Sequence, residues 1–335
     1  MVDRTAPAAG LGEVQLTLYQ RMRAIFLRYE PLRGFSLLSP TLIIMLLALA
    51  LPVGLLGAYS FWTQNYLDID HTLTAANYLK FFTGITIQFQ MPGIEFSPFS
   101  ITLPIDIYLP IYPSLLFKSM RISGMVTIAT VVLAYPMAYF IAFRVTRHKM
   151  IWLILITIPF WTSYLLRVFA WKIILGSNGV INSGLMSLGL IDEPISWILY
   201  NPTAVVLTLA HAWAAFAILP IYVSLEKIDR SLLEAATDLG DGPMMRFLRV
   251  TLPLSMPGVI AASLLVFIPT VGDYVTPKLV GGTTGIMIGN IIQSQFGKAN
   301  NWPMGAALSI ISMLVITALI CAFLWFTNRA RKRVA

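Results

Sequence analysis

The chain has 335 residues, of which 57% are hydrophobic and only 11% are charged. Soluble proteins have about 45–50% apolar and about 25% charged residues, so the composition argues against a water-soluble enzyme and indicates an integral membrane protein. The single cysteine, Cys321, lies in an apolar run, which excludes an internal disulfide framework and a cysteine-based zinc site. The net charge of +8 could indicate nucleic acid, so its distribution along the chain has to be considered.

Six apolar stretches predict transmembrane helices. A helix needs about 20 consecutive apolar residues to cross the hydrocarbon core of a bilayer. The predicted spans are 41–62, 122–143, 150–171, 202–225, 254–272 and 304–328. Pro159 in the third span, and Pro257 and Pro269 in the fifth, predict kinked or broken helices. The apolar run of the first span exceeds the usual length of about 7 to 15 residues in a cleaved signal peptide, and 40 residues precede it, so we expect it to remain as an anchor.

The distribution of Lys and Arg predicts the orientation, because these residues are enriched in cytoplasmic loops. With the N-terminus inside, 16 of the 23 Lys and Arg residues and the whole net charge of +8 lie on the cytoplasmic side. Topology and contact with anionic membrane lipid explain this charge, so no nucleic-acid partner is needed. The predicted organisation is a cytoplasmic N-terminal tail (1–35), a transmembrane domain (36–328) and a basic cytoplasmic tail (329–335).

The outer segments are longer and less regular than most inner ones. They comprise residues 63–112, 172–201 and 273–303 in this topology. The alternating sequence ITIQFQM, which begins at Ile85, predicts a short strand in the first of them.

The inner loop 226–253 predicts a helix–turn–helix elbow. Ser231 followed by Glu234 matches a capping box, which predicts a helix start. Residues 240–242, with the sequence Gly-Asp-Gly, tolerate positive φ and can end that helix, and Pro243 can open a second one. The pattern alone leaves two interpretations open: a plain connection between two membrane helices, or a surface that binds another protein.

The elbow resembles the EAA signature of permease subunits of binding-protein-dependent ABC importers. The matching positions are Glu234, Ala235, Ala236, Gly240, Val250, Leu252 and Pro253. Val250 stands where isoleucine is commoner, a change that conserves shape. Other stretches, covering about residues 36–326, resemble spermidine/putrescine permeases, and specifically the first-named subunit of the permease pair. Examples are PFWTSYLLRVFAWKIIL (159–175) and LVFIPTVGDYVTPKLVGG (265–282).

This resemblance implies an all-α membrane protein of the type I ABC importer permease fold. Six transmembrane helices, with both termini cytoplasmic, would carry a coupling helix that contacts cytoplasmic ABC ATPase subunits. The implied partners are a second permease subunit, expected to be a different chain, and an extracytoplasmic solute-binding protein, all at a bacterial inner membrane. Polyamine import is the leading interpretation. Import of an amino-acid derivative such as γ-aminobutyrate, an opine or a phosphonate is the alternative, and a membrane-embedded enzyme or channel is a third.

The residues expected for catalysis are missing from the sequence. No GxxxxGK[ST] phosphate-binding loop occurs, so we expect ATP to be hydrolysed by a partner subunit and this chain to be non-catalytic. The three histidines, His71, His148 and His211, are scattered and form no metal-binding pattern. We therefore expect no metal and no cofactor, and we expect His211 to pack in the helix core.

Asp273 is the acidic residue that follows the fifth span, and acids at membrane depth need a partner or face a pathway. A polyamine is held by carboxylates and by aromatic faces. The predicted substrate pathway therefore consists of Asp273, Tyr274, Trp161 and Tyr164. The alternative is structural: Asp273 pairs with Arg167 or Lys172, or caps a helix end. Arg167 and Lys172 are otherwise predicted to be anchors at the outer membrane interface.

Overall fold

The computed structural model describes residues 30–66, 68–83, 85–89 and 105–334, and these residues are mainly helical. Most of the predicted N-terminal tail, residues 1–29, lies outside this part, while Glu30 already belongs to the first helix. The helices are α1 Glu30–Ser60, α2 Ala76–Thr83, α3 Ile111–Tyr139, α4 Lys149–Thr157, α5 Tyr164–Leu175, α6 Val180–Ser187, α7 Pro202–Glu226, α8 Arg230–Asp238, α9 Pro243–Arg246, α10 Leu252–Val271, α11 Val275–Val280, α12 Ile288–Phe296 and α13 Trp302–Val334.

Shorter elements connect these helices. The strands are β1 Thr63–Asn65, β2 Asp68–Asp70, β3 Ile85–Phe89 and β4 Ile105–Leu109. Each is paired antiparallel with its neighbour, β1 with β2 and β3 with β4, so the strand predicted at Ile85 is confirmed. Two π-helical turns, Phe140–Arg144 and Phe247–Thr251, follow α3 and α9, and two 3₁₀ turns cover Ile158–Trp161 and Ser196–Ile198.

Six segments of the described part are long and apolar enough to cross a membrane. They are Leu38–Ser60, Ile111–Arg144, Tyr164–Ser187, Pro202–Glu226, Pro243–Val271 and Trp302–Arg329. This confirms the predicted number of spans. The second begins well before residue 122, because Lys118 and Arg121 end the uncharged run but do not end the helix. Backbone hydrogen bonding continues through them, since long basic side chains can extend along an apolar surface.

The prolines act differently in the third and fifth spans. The predicted third span, 150–171, is divided: α4 runs into the 3₁₀ turn that contains Pro159, and α5 begins only at Tyr164. Proline lacks the amide that would continue the helix. By contrast, α10 is continuous through Pro257 and Pro269, so the fifth span is not broken. The last helix, α13, continues to Val334 and so includes most of the predicted basic C-terminal tail.

The chain divides into two compact units. The first ends at Leu56, and its described part is the larger portion of α1, which contains Pro40 and Pro52. The second unit is Gly57–Ala335 and contains the remaining helices. No charged residue occurs between Leu38 and Ser60, as expected for a helix in hydrocarbon.

The core of the second unit lies where α3, α7 and α10 pack together. Small residues let the helix backbones approach closely, as in other membrane proteins. A Cβ atom added at Gly258 of α10 would lie 2.5 Å from the carbonyl oxygen of Pro220 and 2.5 Å from Cβ of Ser224, both on α7. The buried hydroxyls of Tyr135 on α3 and Ser255 on α10 are hydrogen-bonded at 2.7 Å. These contacts fix the relative positions of the three helices.

The outer segments connect to this core through polar contacts. Asn77 of α2 donates to the carbonyl oxygens of Ser60 and Trp62, at 3.1 and 2.7 Å. Gln64 of β1 accepts from the amide of Trp302 at the start of α13, at 3.0 Å. These contacts hold the first outer segment to the beginning of α13.

Candidate functional site

The elbow begins at Asp229 and not at the predicted capping box. The side chain of Asp229 accepts from the amide of Ser231 at 3.0 Å, and α8 already includes Arg230. Glu234 is exposed and makes no hydrogen bond or ion pair with any described residue. The capping box of Ser231 and Glu234 is therefore wrong: an aspartate caps a helix as well as a serine does, and it stands two residues earlier.

The turn of the elbow is a Schellman motif centred on Gly240. Gly240 has φ +88°, a conformation that side chains with a Cβ rarely adopt. Its amide donates to Thr237 at 2.9 Å, and the amide of Asp241 donates to Ala236 at 3.0 Å. These two bonds satisfy carbonyls at the end of α8. Pro243 occupies the first turn of α9, so the predicted turn and second helix are both confirmed.

Two side-chain contacts stabilise the elbow. Arg246 of α9 donates to Oγ1 of Thr237 in α8 at 2.7 Å. Arg249, in the following π-helical turn, forms an ion pair with Asp241 at 2.9 Å. The first contact links α9 to α8, and the second links the following turn to the loop between them.

The residues of the EAA signature divide between two surfaces. Glu234 and Ala235 are exposed on α8, and Ala236 is buried. Val250 and Leu252 are half-buried, and Leu252 packs against the core. Pro253 is exposed at the start of α10. The signature thus supplies both an exposed face and the attachment of the elbow to the membrane domain.

The elbow also exposes large apolar side chains. Leu239 is 88% exposed and Met244 is 70% exposed, one at each side of the turn. Exposed apolar residues in a group mark interaction sites more often than they mark ordinary surface.

The second candidate site is a cavity of about 320 Å³ between α5, α7 and the segment that follows α10. It is lined by Tyr164, Arg167, Ala212, Trp213, Phe216, Pro269, Gly272, Asp273 and Tyr274. Three of the four residues predicted for the substrate pathway therefore meet here. The fourth, Trp161, is 77% exposed and does not line the cavity, because the break before α5 separates it from Tyr164.

Asp273 accepts hydrogen bonds from both sides of this cavity. Its Oδ2 accepts from the hydroxyl of Tyr164 at 2.7 Å. Its two carboxylate oxygens also accept from the amides of Val275 and Thr276 at the start of α11, at 3.0 and 3.4 Å. The predicted capping alternative is thus confirmed. Asp273 forms no ion pair with Arg167 or Lys172, so the predicted pairing alternative is wrong.

Arg167 lines the cavity, and the expectation that it anchors the outer membrane interface stays a prediction. Its Nη1 donates to the carbonyl oxygen of Ala212 at 3.1 Å, and its guanidinium lies 4.8 Å from the ring centroid of Phe160. Its Nε is buried and has no partner among the described residues, and the same is true of Nε1 of Trp213. The cavity is thus lined by one carboxylate and by two side chains whose buried N–H groups have no acceptor among the described residues.

His211 lies near this cavity but does not line it. Its Nδ1 accepts from Nε1 of Trp171 at 3.0 Å, and its ring stacks on Phe160 with the centroids 6.2 Å apart. One ring nitrogen is thus satisfied, as predicted, although His211 is exposed and not part of the core. No group of three His, Cys, Asp or Glu residues suited to a metal occurs in the part of the chain that the structure describes.

Sequence reasoning missed Arg167 and Trp213 as cavity residues. Arg167 carried a usable signal, because a basic residue within an apolar stretch needs either an interface or an internal partner. Trp213 carried none, since tryptophan is common in membrane helices in any role.

Residues 33–332 match the family described as binding-protein-dependent transport system inner membrane component. The chain belongs to this family. Its members are components of transport systems, so this chain is a permease subunit of the inner membrane with six spans.

Individual relatives and solved structures agree with this family membership. The chain is 37% identical to the spermidine/putrescine transport system permease protein PotB of Haemophilus influenzae over 243 residues, covering 72% of this chain and 84% of that protein. It is 39% identical to the Escherichia coli PotB over 220 residues, covering 66% and 79%. A bacterial alginate ABC transporter, solved in complex with an alginate pentasaccharide-bound periplasmic protein, has a chain of the same fold. The TM-score is 0.63 at 15% identity, over 95% of this chain and 98% of that chain.

Proposed function

We propose that this chain is the permease subunit of an ATP-driven importer of polyamines such as putrescine and spermidine. The observation that carries the proposal is its identity of 37–39% to two spermidine/putrescine permeases over about two thirds or more of its length. The elbow and the cavity are the parts of the structure that such a function would use.

In this proposal the elbow is the coupling helix that binds an ATPase subunit. Its exposed residues include Glu234, whose side chain forms no ion pair with described residues, and the apolar Leu239 and Met244. Apolar anchors with a polar neighbour are typical of protein interfaces. The partner would hydrolyse ATP, because the sequence contains no phosphate-binding loop.

The cavity would form part of the substrate pathway. The carboxylate of Asp273 attracts an ammonium group, and Tyr164 and Tyr274 supply aromatic faces beside it. A second permease subunit would enclose the other side, and a solute-binding protein would deliver the substrate from outside. The alginate transporter, solved with a periplasmic protein, supports the latter partner. The pathway would then alternate between inward and outward access.

One observation favours a different solute for the same permease. Arg167 lines the cavity as well as Asp273, so a solute with both an ammonium and a carboxylate group, such as γ-aminobutyrate, would match both charges. Polyamines carry no carboxylate.

ATP hydrolysis by the reconstituted complex with its binding protein separates these possibilities. The solutes to compare are putrescine, spermidine, γ-aminobutyrate, an opine and a phosphonate. Stimulation by the two polyamines alone is the expected result. Stimulation by γ-aminobutyrate instead would keep the permease and overturn the substrate, and no association with an ATPase would overturn the coupling role.

A further inference from the structure

Lys149 joins the ends of three separate elements. Its Nζ donates to both carboxylate oxygens of Glu226, at 2.8 and 2.9 Å, and to the carbonyl oxygen of Ala142, at 3.1 Å. Lys149 is the first residue of α4, Glu226 is the last residue of α7, and Ala142 lies in the π-helical turn after α3. We call these two charged residues, Lys149 and Glu226, the clasp.

The clasp lies directly before the elbow. Only Lys227 and Ile228 separate Glu226 from Asp229, the cap of α8. Ile228 is buried, and its amide donates to the carbonyl oxygen of Leu225 at 3.1 Å, so this link is short and held at its centre. A movement of α8 should therefore also displace Glu226.

Besides the clasp, α4 is held by apolar contacts, since its Ile156 packs against the core. None of its residues is buried, and the ring of Trp152 meets that of Phe140 edge-on at 6.1 Å. At its other end α4 passes through the turn Ile158–Trp161 to Tyr164, which donates to Asp273. The clasp thus connects the elbow to α4, and α4 leads along the chain to the α5 side of the cavity. A second route runs from the elbow through α10 directly to Asp273.

The geometry points to Lys149 and Glu226 as positioning residues that make α4 follow the elbow, so that Tyr164 and Asp273 move together when the ATPase closes. This inference rests on the proposed coupling role of the elbow. The route through α10 remains when the clasp is broken. Loss of the clasp therefore uncouples ATP hydrolysis from transport without preventing ATPase binding.

The test is the number of substrate molecules taken up per ATP hydrolysed by the complete complex in proteoliposomes. We expect Glu226→Gln and Lys149→Met to lower this ratio at least about fivefold, the lower end of typical coupling factors. ATPase association and basal hydrolysis should be unchanged. The exchanged pair Lys149→Glu with Glu226→Lys should recover much of the ratio, because it restores the attraction. Glu193→Gln is the matched control, since Glu193 is exposed and forms no ion pair with described residues.

The ratio is measured per complex, so a lower yield of a variant does not affect it. An unchanged ratio in both single variants would overturn the inference, and so would an exchanged pair that behaves no better than the singles. Glu234→Ala in the same assay separates the two proposals. If Glu234→Ala retains ATPase association and full uptake, the coupling role itself fails. If it loses them while Glu226→Gln retains a normal ratio, only the clasp fails.

Discussion

The hydroxyl of Tyr164 donates a 2.7 Å hydrogen bond to Oδ2 of Asp273, which is 109 residues away in sequence. This bond joins the start of α5 to the short segment between α10 and α11. It places a phenol, a carboxylate and the ring of Tyr274 around one cavity. Three donors thus fix the orientation of the Asp273 carboxylate.

Asp273→Asn should raise the polyamine concentration needed for half-maximal uptake about tenfold or more. The reason is that a hydrogen bond to a charged group contributes about 1.5–3 kcal/mol. Asparagine retains an acceptor oxygen for the amide of Val275, the shorter of the two bonds to α11, so the variant should assemble normally. Trp161→Leu is the control, because Trp161 lies outside the cavity. Uptake with unchanged concentration dependence in Asp273→Asn would remove Asp273 from the pathway.

Gly240→Ala should destabilise the elbow, whereas Gly242→Ala should not. Neither added Cβ meets another atom within 4 Å, so the two substitutions differ in backbone conformation alone. Gly240 has φ +88° and Gly242 has φ −65°. A Cβ in the left-handed region costs about 1–2 kcal/mol. The rate of proteolysis within the elbow and the fraction of bound ATPase measure the effect. Equal behaviour of the two variants would contradict the role of the turn.

Gly258→Ala should lower the melting temperature of the detergent-solubilised protein. The added methyl would lie 2.5 Å from backbone and side-chain atoms of α7, so α7 and α10 would have to separate. Overpacking of this kind costs about 1–3 kcal/mol. Gly124→Ala is the control on α3, since nothing lies within 4 Å of its added Cβ. A melting temperature that stays the same in Gly258→Ala would show that the two helices are less tightly packed.

The cap of α8 should depend on pH. The amide and hydroxyl of Ser231 lower the pKa of the Asp229 carboxyl below its ordinary value. The charged cap therefore stabilises α8 fully above about pH 4, the usual aspartate range, and this contribution is lost as the pH falls through the lowered pKa. Amide hydrogen exchange in α8, compared at each pH with Asp229→Asn, measures it. The asparagine variant should show protection without this acid loss, and parallel profiles would contradict the prediction.

The elbow illustrates which structural features can be predicted from local sequence. Gly240 and Pro243 act through their own dihedral angles, so the turn and the second helix could be predicted. The residue that caps α8 could not be predicted in this way. Asp229 and Ser231 are both good caps, and only the actual start of the helix selects between them.

The number of transmembrane helices was determined by the sequence alone, because hydropathy over about 20 residues depends on no distant contact. The cavity was decided by the tertiary structure. Asp273, Tyr164 and Tyr274 were predicted to converge, but Trp161 was wrongly included and Arg167 wrongly excluded. The reason is the break at residues 162–163, which turns Trp161 outward, and the packing of α5 on α7, which brings Arg167 to Ala212. Contacts between residues this far apart in the chain depend on how whole helices pack, and that information does not reside in any one segment.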